Sequence, residues 1–199
     1  MFILGLNGSP QREGNTVNLL HTALQSCTEA GAETRLLHVA DALKGLAHPF
    51  CTNCSPVCEG ACAKGNNLGE AFDLLRKADG IIMGSPVYFG TVSAQLKAFW
   101  DKSRVLRKEK ALINVVGGAV SVGSSRYGGQ ETTVKAIHDI MLVHGMTVIG
   151  DGYIADDAGH QGACAQKPAS DDKSGLFRAA VMGRRVAELA GGTMELRRR

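Results

Sequence analysis

The sequence predicts an α/β fold: one domain over residues 1–199, a doubly wound, five-stranded parallel sheet of order 2-1-3-4-5, with a cysteine-rich insertion after the second strand. Two observations carry this expectation. Five short apolar runs alternate with helical stretches over about 150 residues, the pattern of a parallel sheet covered on both faces. One irregular stretch, 41–67, breaks the alternation and holds four of the six cysteines. A length of 199 residues suits one full core and is short for two. With 44% apolar and 21% charged residues, the chain is composed like a packed globular protein, neither disordered nor fibrous.

Each element follows from local pattern. Phe2-Ile3-Leu4-Gly5-Leu6 reads as a buried strand that feeds the turn Asn7-Gly8-Ser9-Pro10. A helix from about Asn15 places Val17, Leu20, Leu24 and Cys27 on one face and stops at Gly31. Thr34 to Val39 is a second strand. Residues 41–67 carry Pro49, Pro56, Gly60 and Gly65 with no period of 2 or 3.6, as a long functional loop does. Glu70 to Ala78 then reads as a helix, Gly80 to Gly84 as the third strand, and Thr91 to Leu106 as a helix with Val92, Leu96, Phe99 and Leu106 on one stripe. Ala111 to Val116 is expected as the fourth strand, running into a glycine-rich loop. Glu131 to His144 follows as a helix, Thr147 to Ile149 as the fifth strand, and Leu176 to Ala190 as the closing helix.

Composition also excludes function classes. The net charge of +3 is matched by the terminal Arg197-Arg198-Arg199, so the body is near neutral and offers no basic face for nucleic acid. That tail is expected to be frayed and solvated. No segment reaches the ~18 apolar residues of a membrane span, and the first residues lack the basic start of a secretory signal. A cytoplasmic location, with reduced thiols, is the expectation. No nucleophile has a partnered base: Ser9 and Ser85 precede proline and lack the G-x-S-x-G elbow. The six histidines are dispersed; His160 alone sits in a loop within reach of a ligand. Asp156-Asp157 and Asp171-Asp172 read as turn and cap residues.

In a doubly wound sheet the ligand sits beyond the carboxyl ends of the strands, where strand order reverses. Three loops therefore decide function. The first, Gly8 to Thr16, is rich in hydroxyls, amides and glycine and opens into a helix, an arrangement that serves an anion or an ordinary helix cap. It has neither the P-loop nor the G-x-G-x-x-G spacing. The second, Gly84-Ser85-Pro86-Val87-Tyr88-Phe89-Gly90, places two aromatics in a glycine-bounded turn; they cover a planar ring, or one packs under the next helix. The third, Gly117 to Glu131, has repeated glycines that let backbone approach a ligand.

Gly8-Ser9-Pro10 through Gly14-Asn15-Thr16, Gly84 to Gly90, and Gly128-Gly129-Gln130-Glu131 together resemble the NADPH-dependent FMN reductase and iron–sulfur flavoprotein group, over roughly residues 1–150. The resemblance implies a flavodoxin-like fold that binds FMN. Its phosphate would fall to Ser9, Gln11, Asn15 and Thr16, and its ring to Pro86, Val87, Tyr88, Phe89, Gly128 and Gly129. Gln11 is a departure, since relatives often carry Arg beside the phosphate; Arg12 is adjacent. The isoalloxazine supplies the redox chemistry, so no catalytic acid or base is assigned.

Cys51-x2-Cys54-x3-Cys58-x3-Cys62 is the sharpest chemical signal. Four thiolates in twelve residues suit a [4Fe–4S] cluster or tetrahedral zinc, and a disulfide pair is disfavoured by compartment. Iron–sulfur flavoproteins resemble the chain in carrying a compact four-cysteine motif after strand two, although their usual C-x2-C-x2-C differs from the spacing here. The resemblance implies an FMN-dependent oxidoreductase that moves electrons between a donor (ferredoxin or NAD(P)H), a [4Fe–4S] cluster and FMN. Two alternatives stand beside it: an NAD(P)H-dependent FMN or quinone reductase without a redox cluster, and a non-enzymatic flavodoxin-like carrier. A homodimer or homotetramer is also implied, with Trp100 a candidate for the interface or, equally, for the core. Cys27 reads as packing, and Cys164, in the polar stretch 159–164, as a free surface thiol or part of a lid.

Overall fold

Residue alternation along each strand builds two cores at once. The computed structural model describes residues 1–197. Strand β1 (Phe2–Asn7) sends Leu4 and Leu6 to one face and Ile3 to the other, and β3 (Gly80–Pro86) does the same with Ile81 and Met83 against Ile82. Helices α1 (Asn15–Glu29) and α7 (Lys173–Gly192) cover the Ile3 side. Helices α3 (Asn67–Lys77), α4 (Ala94–Lys102), α5 (Arg104–Glu109) and α6 (Gln130–Val143) cover the other, where Phe72, Phe99 and Ile137 are buried. With β2 (Glu33–His38), the short α2 (Val39–Ala42), β4 (Val116–Gly123), β5 (Thr147–Val148) and β6 (Ala163–Gln166), this is a three-layer α/β/α domain.

All strand pairs are parallel, in the expected order β2-β1-β3-β4-β5. A sixth strand, absent from the sequence reading, also pairs with β4. Strand β3 occupies one edge of β4 from Val116 to Val122, so β5 (against Val116 and Gly117) and β6 (against Val120 to Gly123) share the other. They form one fifth position, interrupted by residues 149–162. Cys164 therefore lies in a strand rather than in a lid.

The fourth strand was displaced in the sequence reading. Residues 111–114 are turns, with Asn114 at φ 63°, and the strand is Val116–Gly123, fully buried. Low β propensity hid it, because Gly117 and Gly118 lie within the strand. A Cβ on Gly117 would meet Met141 Sδ at 2.7 Å and one on Gly118 would meet Met182 Sδ at 3.0 Å, so α6 and α7 rest directly on backbone. The glycine-rich third loop consequently shrinks to residues 124–129.

Three smaller corrections follow from packing. The single helix expected from Thr91 to Leu106 is two, broken where Ser103 Oγ donates to Trp100 O at 2.6 Å. Trp100 is buried edge-on to Phe99 and tilted against His144, so it is core and not an interface residue. Arg197 is not frayed: it is buried, donates to Ala190 O and Thr193 Oγ1, and lies 3.4 Å from Asp79. Arg198 and Arg199 lie outside the described residues. No helix among the described residues is long and apolar enough to cross a membrane.

Candidate functional site

Parallel strands deliver the turns after β1, β3 and β4 to one rim. The first turn is organised by Asn7, fully buried at the end of β1. Its Oδ1 accepts from Ser9 N at 3.0 Å, and its Nδ2 donates to Gln11 O at 2.9 Å and faces His38 Nδ1 at the same distance. Ser9 Oγ then accepts from Gln11 N. Helix α1 begins after Gly14 at φ 139° with no side-chain cap, and Asn18 N is the first to find a helical acceptor. Among the described residues no protein acceptor receives the N–H groups of Asn15, Thr16 and Val17. Free N–H groups at a helix N-terminus are the donors that an anion can use.

The second turn is tied to the first: Gly8 N donates to Gly84 O at 2.8 Å, and Ser93 Oγ donates to Gly8 O. Val87 N donates to Val122 O, anchoring it to β4. Tyr88 and Thr91 exchange backbone hydrogen bonds around Phe89 (φ 52°) and Gly90 (φ 79°), a tight turn with two left-handed residues. A phenylalanine there costs of order 1–3 kcal/mol. Neither aromatic packs under the following helix: Tyr88 is 44% exposed and Phe89 fully so. The turn therefore holds Phe89 outside the core on a strained backbone.

The third turn closes on the second. Thr132 Oγ1 donates to Gly90 O at 2.8 Å, and a Cβ on Gly129 (φ 92°) would lie 3.1 Å from Gly90 Cα and 3.3 Å from Val87 Cγ1. Gln130 acts as the clamp: its Oε1 accepts from Gly128 N, and its Nε2 donates to Ser125 O and Ala165 O. These uncapped N–H groups and side-chain-free glycines fit a phosphate and a flat ring on the same rim.

The structure thus brings Pro86, Val87, Tyr88, Phe89, Gly128 and Gly129 together, and sets Ser9, Gln11, Asn15 and Thr16 in the adjoining turn. Individual side chains vary. Thr16 is buried with its methyl against Gly84, Asn15 Oδ1 is occupied by Ala169 N, and Arg12 pairs with Asp41 at 2.7 Å. The groups left free in this turn are therefore backbone N–H more than side chains. Asn7, Gln130 and Thr132 were missed as organising residues, although an Asn before Gly at a strand end is a turn signal. An open cavity of about 1150 Å³ adjoins this rim and meets the expected set only at Gly129; Arg126, Tyr127, Asp151 and Lys167 also line it. His160 lines that cavity, 3.6 Å from buried Asp151.

The four cysteines are all free thiols; Cys51 and Cys58 are half-buried, Cys54 and Cys62 exposed. Their segment is strapped to α5: Arg104 donates to Asn53 Oδ1 and to Pro56 O at 3.2 Å, and Lys108 pairs with Glu59 at 2.6 Å. Among the described residues they do not converge into a group of three or more metal-ligating side chains. The donor set suits a metal centre; its arrangement here does not yet form one. Cys27 and Cys164 differ: burial pushes both thiols up to about 12.

A model of the NADPH-dependent FMN reductase family matches residues 1–161. An iron–sulfur flavoprotein of Methanocaldococcus jannaschii is 45% identical over 195 residues, covering 95% of this chain and 97% of its own. Another, from Methanosarcina thermophila, is 36% identical over 190 residues, 95% of each chain. Among solved structures, a WrbA-like flavodoxin from Agrobacterium tumefaciens shares the fold, with a TM-score of 0.68 at 21% identity over 96% of this chain and 97% of its own. Three converging turns and matches over most of the sequence lead to one conclusion: the chain belongs to the NADPH-dependent FMN reductase family, among the iron–sulfur flavoproteins.

Proposed function

We propose that this FMN-dependent oxidoreductase works as an iron–sulfur flavoprotein, taking electrons from a ferredoxin or NAD(P)H and passing them by way of a [4Fe–4S] cluster and FMN to an acceptor. The observation that carries the reading is the convergence of the turns after β1, β3 and β4 on one rim, with uncapped N–H groups in the first and the exposed, strained Phe89 in the second.

The N–H groups of Asn15, Thr16 and Val17, with Ser9 and Gln11 beside them, would hold the FMN phosphate. The positive end of α1 adds ~0.3–1 kcal/mol per charge. Pro86, Val87, Tyr88, Phe89, Gly128 and Gly129 would line the ring. When bound, FMN supplies one- and two-electron chemistry. The protein's own part is to bind and orient: Gln130 and Thr132 hold the third turn against the second, and Asn7 sets the first. Cys51, Cys54, Cys58 and Cys62 would ligate the cluster, which supplies one-electron exchange. Free thiols on one strapped segment, and relatives named iron–sulfur flavoproteins, support that assignment. A cytoplasmic homodimer or homotetramer is part of the same reading.

Anaerobic purification followed by iron, sulfide and flavin analysis tests it. About four iron and four sulfide with one FMN per chain are expected. A colourless protein that takes up no FMN overturns the reading. A second reading is an NAD(P)H-dependent quinone reductase without a cluster. It is favoured by the separation of the four thiols and by a Chromohalobacter salexigens NAD(P)H dehydrogenase (quinone) that is 42% identical over 80 residues, 40% of each chain. FMN without iron, together with NAD(P)H oxidation, would select it.

A further inference from the structure

We infer that the open cavity beside the third turn is a binding site for an aromatic carboxylate that carries a hydroxyl or amino group. The cavity, of about 1150 Å³, shares only Gly129 with the residues expected at the flavin ring. Its walls are the third turn, the end of β6, the start of α7 and the excursion 149–162 between β5 and β6. Only the flavin readout in its test rests on the reading of the rim as an FMN site.

The excursion is a built wall. Asp151 N donates to His160 O at 3.2 Å, and His160 N donates back to Asp151 Oδ1. A Cβ on Gly150 would collide with His160 O and one on Gly152 with Ala158 O, so the two arms touch backbone to backbone. Arg178, on α7, donates to both carboxylate oxygens of Asp157 at 2.7 and 2.6 Å and to Asp156 at 3.2 Å. Held in this way, Asp151 is fully buried on the cavity wall. Its Oδ2 accepts no hydrogen bond among the described residues and faces His160 Nδ1 at 3.6 Å and Arg178 Nε at 3.9 Å. With Nδ1–H turned to that carboxylate, the exposed imidazole keeps Nε2 as a lone-pair acceptor for a ligand O–H or N–H. A ligand bound there lets the long Asp151–His160 contact tighten, which relieves the buried oxygen that lacks a donor.

Charge sets the other half of the ligand. Arg126, in the third turn, and Lys167, after β6, line the cavity, and neither meets a carboxylate among the described residues. Glu131 and Asp171 on the same walls keep the local charge low, so a singly charged carboxylate suits the site better than a phosphate. Tyr127, 91% exposed, joins Val134 and Pro168 in a lining that suits a ring. A metal ion fits poorly: Arg178 lies beside Asp151, and no three metal-ligating side chains converge among the described residues. Gln130 lines the cavity and also holds Gly128 N and Ala165 O, so occupancy is felt in the turn where the flavin ring would rest.

The test uses anaerobically purified holoprotein and, as probes, the hydroxybenzoates, the aminobenzoates, benzoate and phenol. Kd is measured by calorimetry, and the visible spectrum of bound flavin is followed in the same titrations. At least one hydroxy- or aminobenzoate isomer should bind tenfold or more tighter than benzoate, which lacks the donor, and than phenol, which lacks the charge. Its binding should shift the flavin bands. The Arg126→Ala/Lys167→Ala double variant, altered only at exposed side chains, should remove the advantage over phenol. His160→Phe should remove the advantage over benzoate, and Lys77→Ala, on α3, should match the parent. Equal Kd for all probes, or binding that both cavity variants leave unchanged, overturns the site. Displacement of the probe by NADPH, with both ligands weakened alike by the double variant, assigns the cavity to the electron donor and overturns it too. The probe series on the unaltered protein keeps the test decisive if a variant misfolds. Donor-dependent binding to a chain that takes up no flavin supports the cavity while sinking the FMN reading; an FMN-loaded protein that binds no probe does the opposite.

Discussion

The glycine-lined rim and the cysteine segment are the two chemically distinctive regions of this molecule, and they are held in different ways. The rim is fixed by the sheet: each turn continues a buried strand, and Asn7, Ser93, Gln130 and Thr132 lock neighbouring turns through hydrogen bonds to backbone. The cysteine segment has little regular structure beyond one short 3-10 turn, Ala61–Ala63, and is held by Arg104 and Lys108 from outside. A backbone-built site exists before its ligand arrives. A thiolate site gains its final geometry from the metal, because coordination replaces the missing core.

The largest expected effects separate the two regions. Cys54→Ser should take iron from about four per chain to near zero while leaving FMN bound, as measured by metal analysis and flavin absorbance. Loss of FMN in parallel would show that the regions are not independent. Gly129→Val should do the reverse. At φ 92° a β-branched residue is strained by roughly 1–3 kcal/mol, and its side chain enters the space beside Gly90 and Val87. FMN affinity should fall about 100-fold with iron retained, read by fluorescence titration. Next in size is Asn7→Ala, which strips the first turn of its Ser9, Gln11 and His38 bonds. A cost of about 1–3 kcal/mol for the unpaired buried groups should appear as a lowered Tm and roughly tenfold weaker FMN binding.

The same contrast explains what could be read from sequence. Strand order and the placing of the first two turns were legible, because apolar runs and turn residues are local signals that the sheet does not override. Strand β4 was not, since Gly117 and Gly118 serve helix packing on both faces and erase the strand's own propensity. Strand β6 is four residues long after an excursion, too short for periodicity to register. Within the site, residue types were visible and orientations were not. Asn15 read as an anion ligand with Arg12 adjacent to the loop, yet their side chains are taken by Ala169 N and Asp41, partners distant in sequence. Phe89 was expected to cover a ring or pack beneath a helix, and its positive φ could not be inferred from a residue type that avoids it.

Smaller effects probe the frame between the two regions. His144 is buried against Trp100, with Nε2 3.0 Å from Ser103 Oγ, at the end of α6 beside the cysteine segment. Burial, reinforced by Arg107, holds it down at about 4 from its ordinary value of 6.5. The folded state therefore prefers neutral imidazole, and the unfolded chain binds the extra proton. Stability from this group is fully present above pH 6.5 and is lost as pH falls toward 4. Tm should drop by roughly 3–5 °C per pH unit in that window. His144→Asn should flatten the slope, and an unchanged slope would locate the titration elsewhere, in His38 or His138, both also lowered by burial.

The smallest expected effect is an absence of reaction. In metal-free protein the four thiols of the cysteine segment are exposed or half-buried, so a disulfide reagent at pH 8 should label four per chain within minutes. Cys27 and Cys164 should stay silent, because burial raises both thiols to about 12 and leaves almost no thiolate to attack. Cys27 also donates to Gly183 O at 3.1 Å, where α1 meets α7, so its exposure requires those helices to part. Two further thiols should appear only in denaturant, with the unfolding transition. Fast labelling of Cys164 in native protein would mean that β6 opens on its own, and the fifth position of the sheet would then behave like the cysteine segment rather than like the rim.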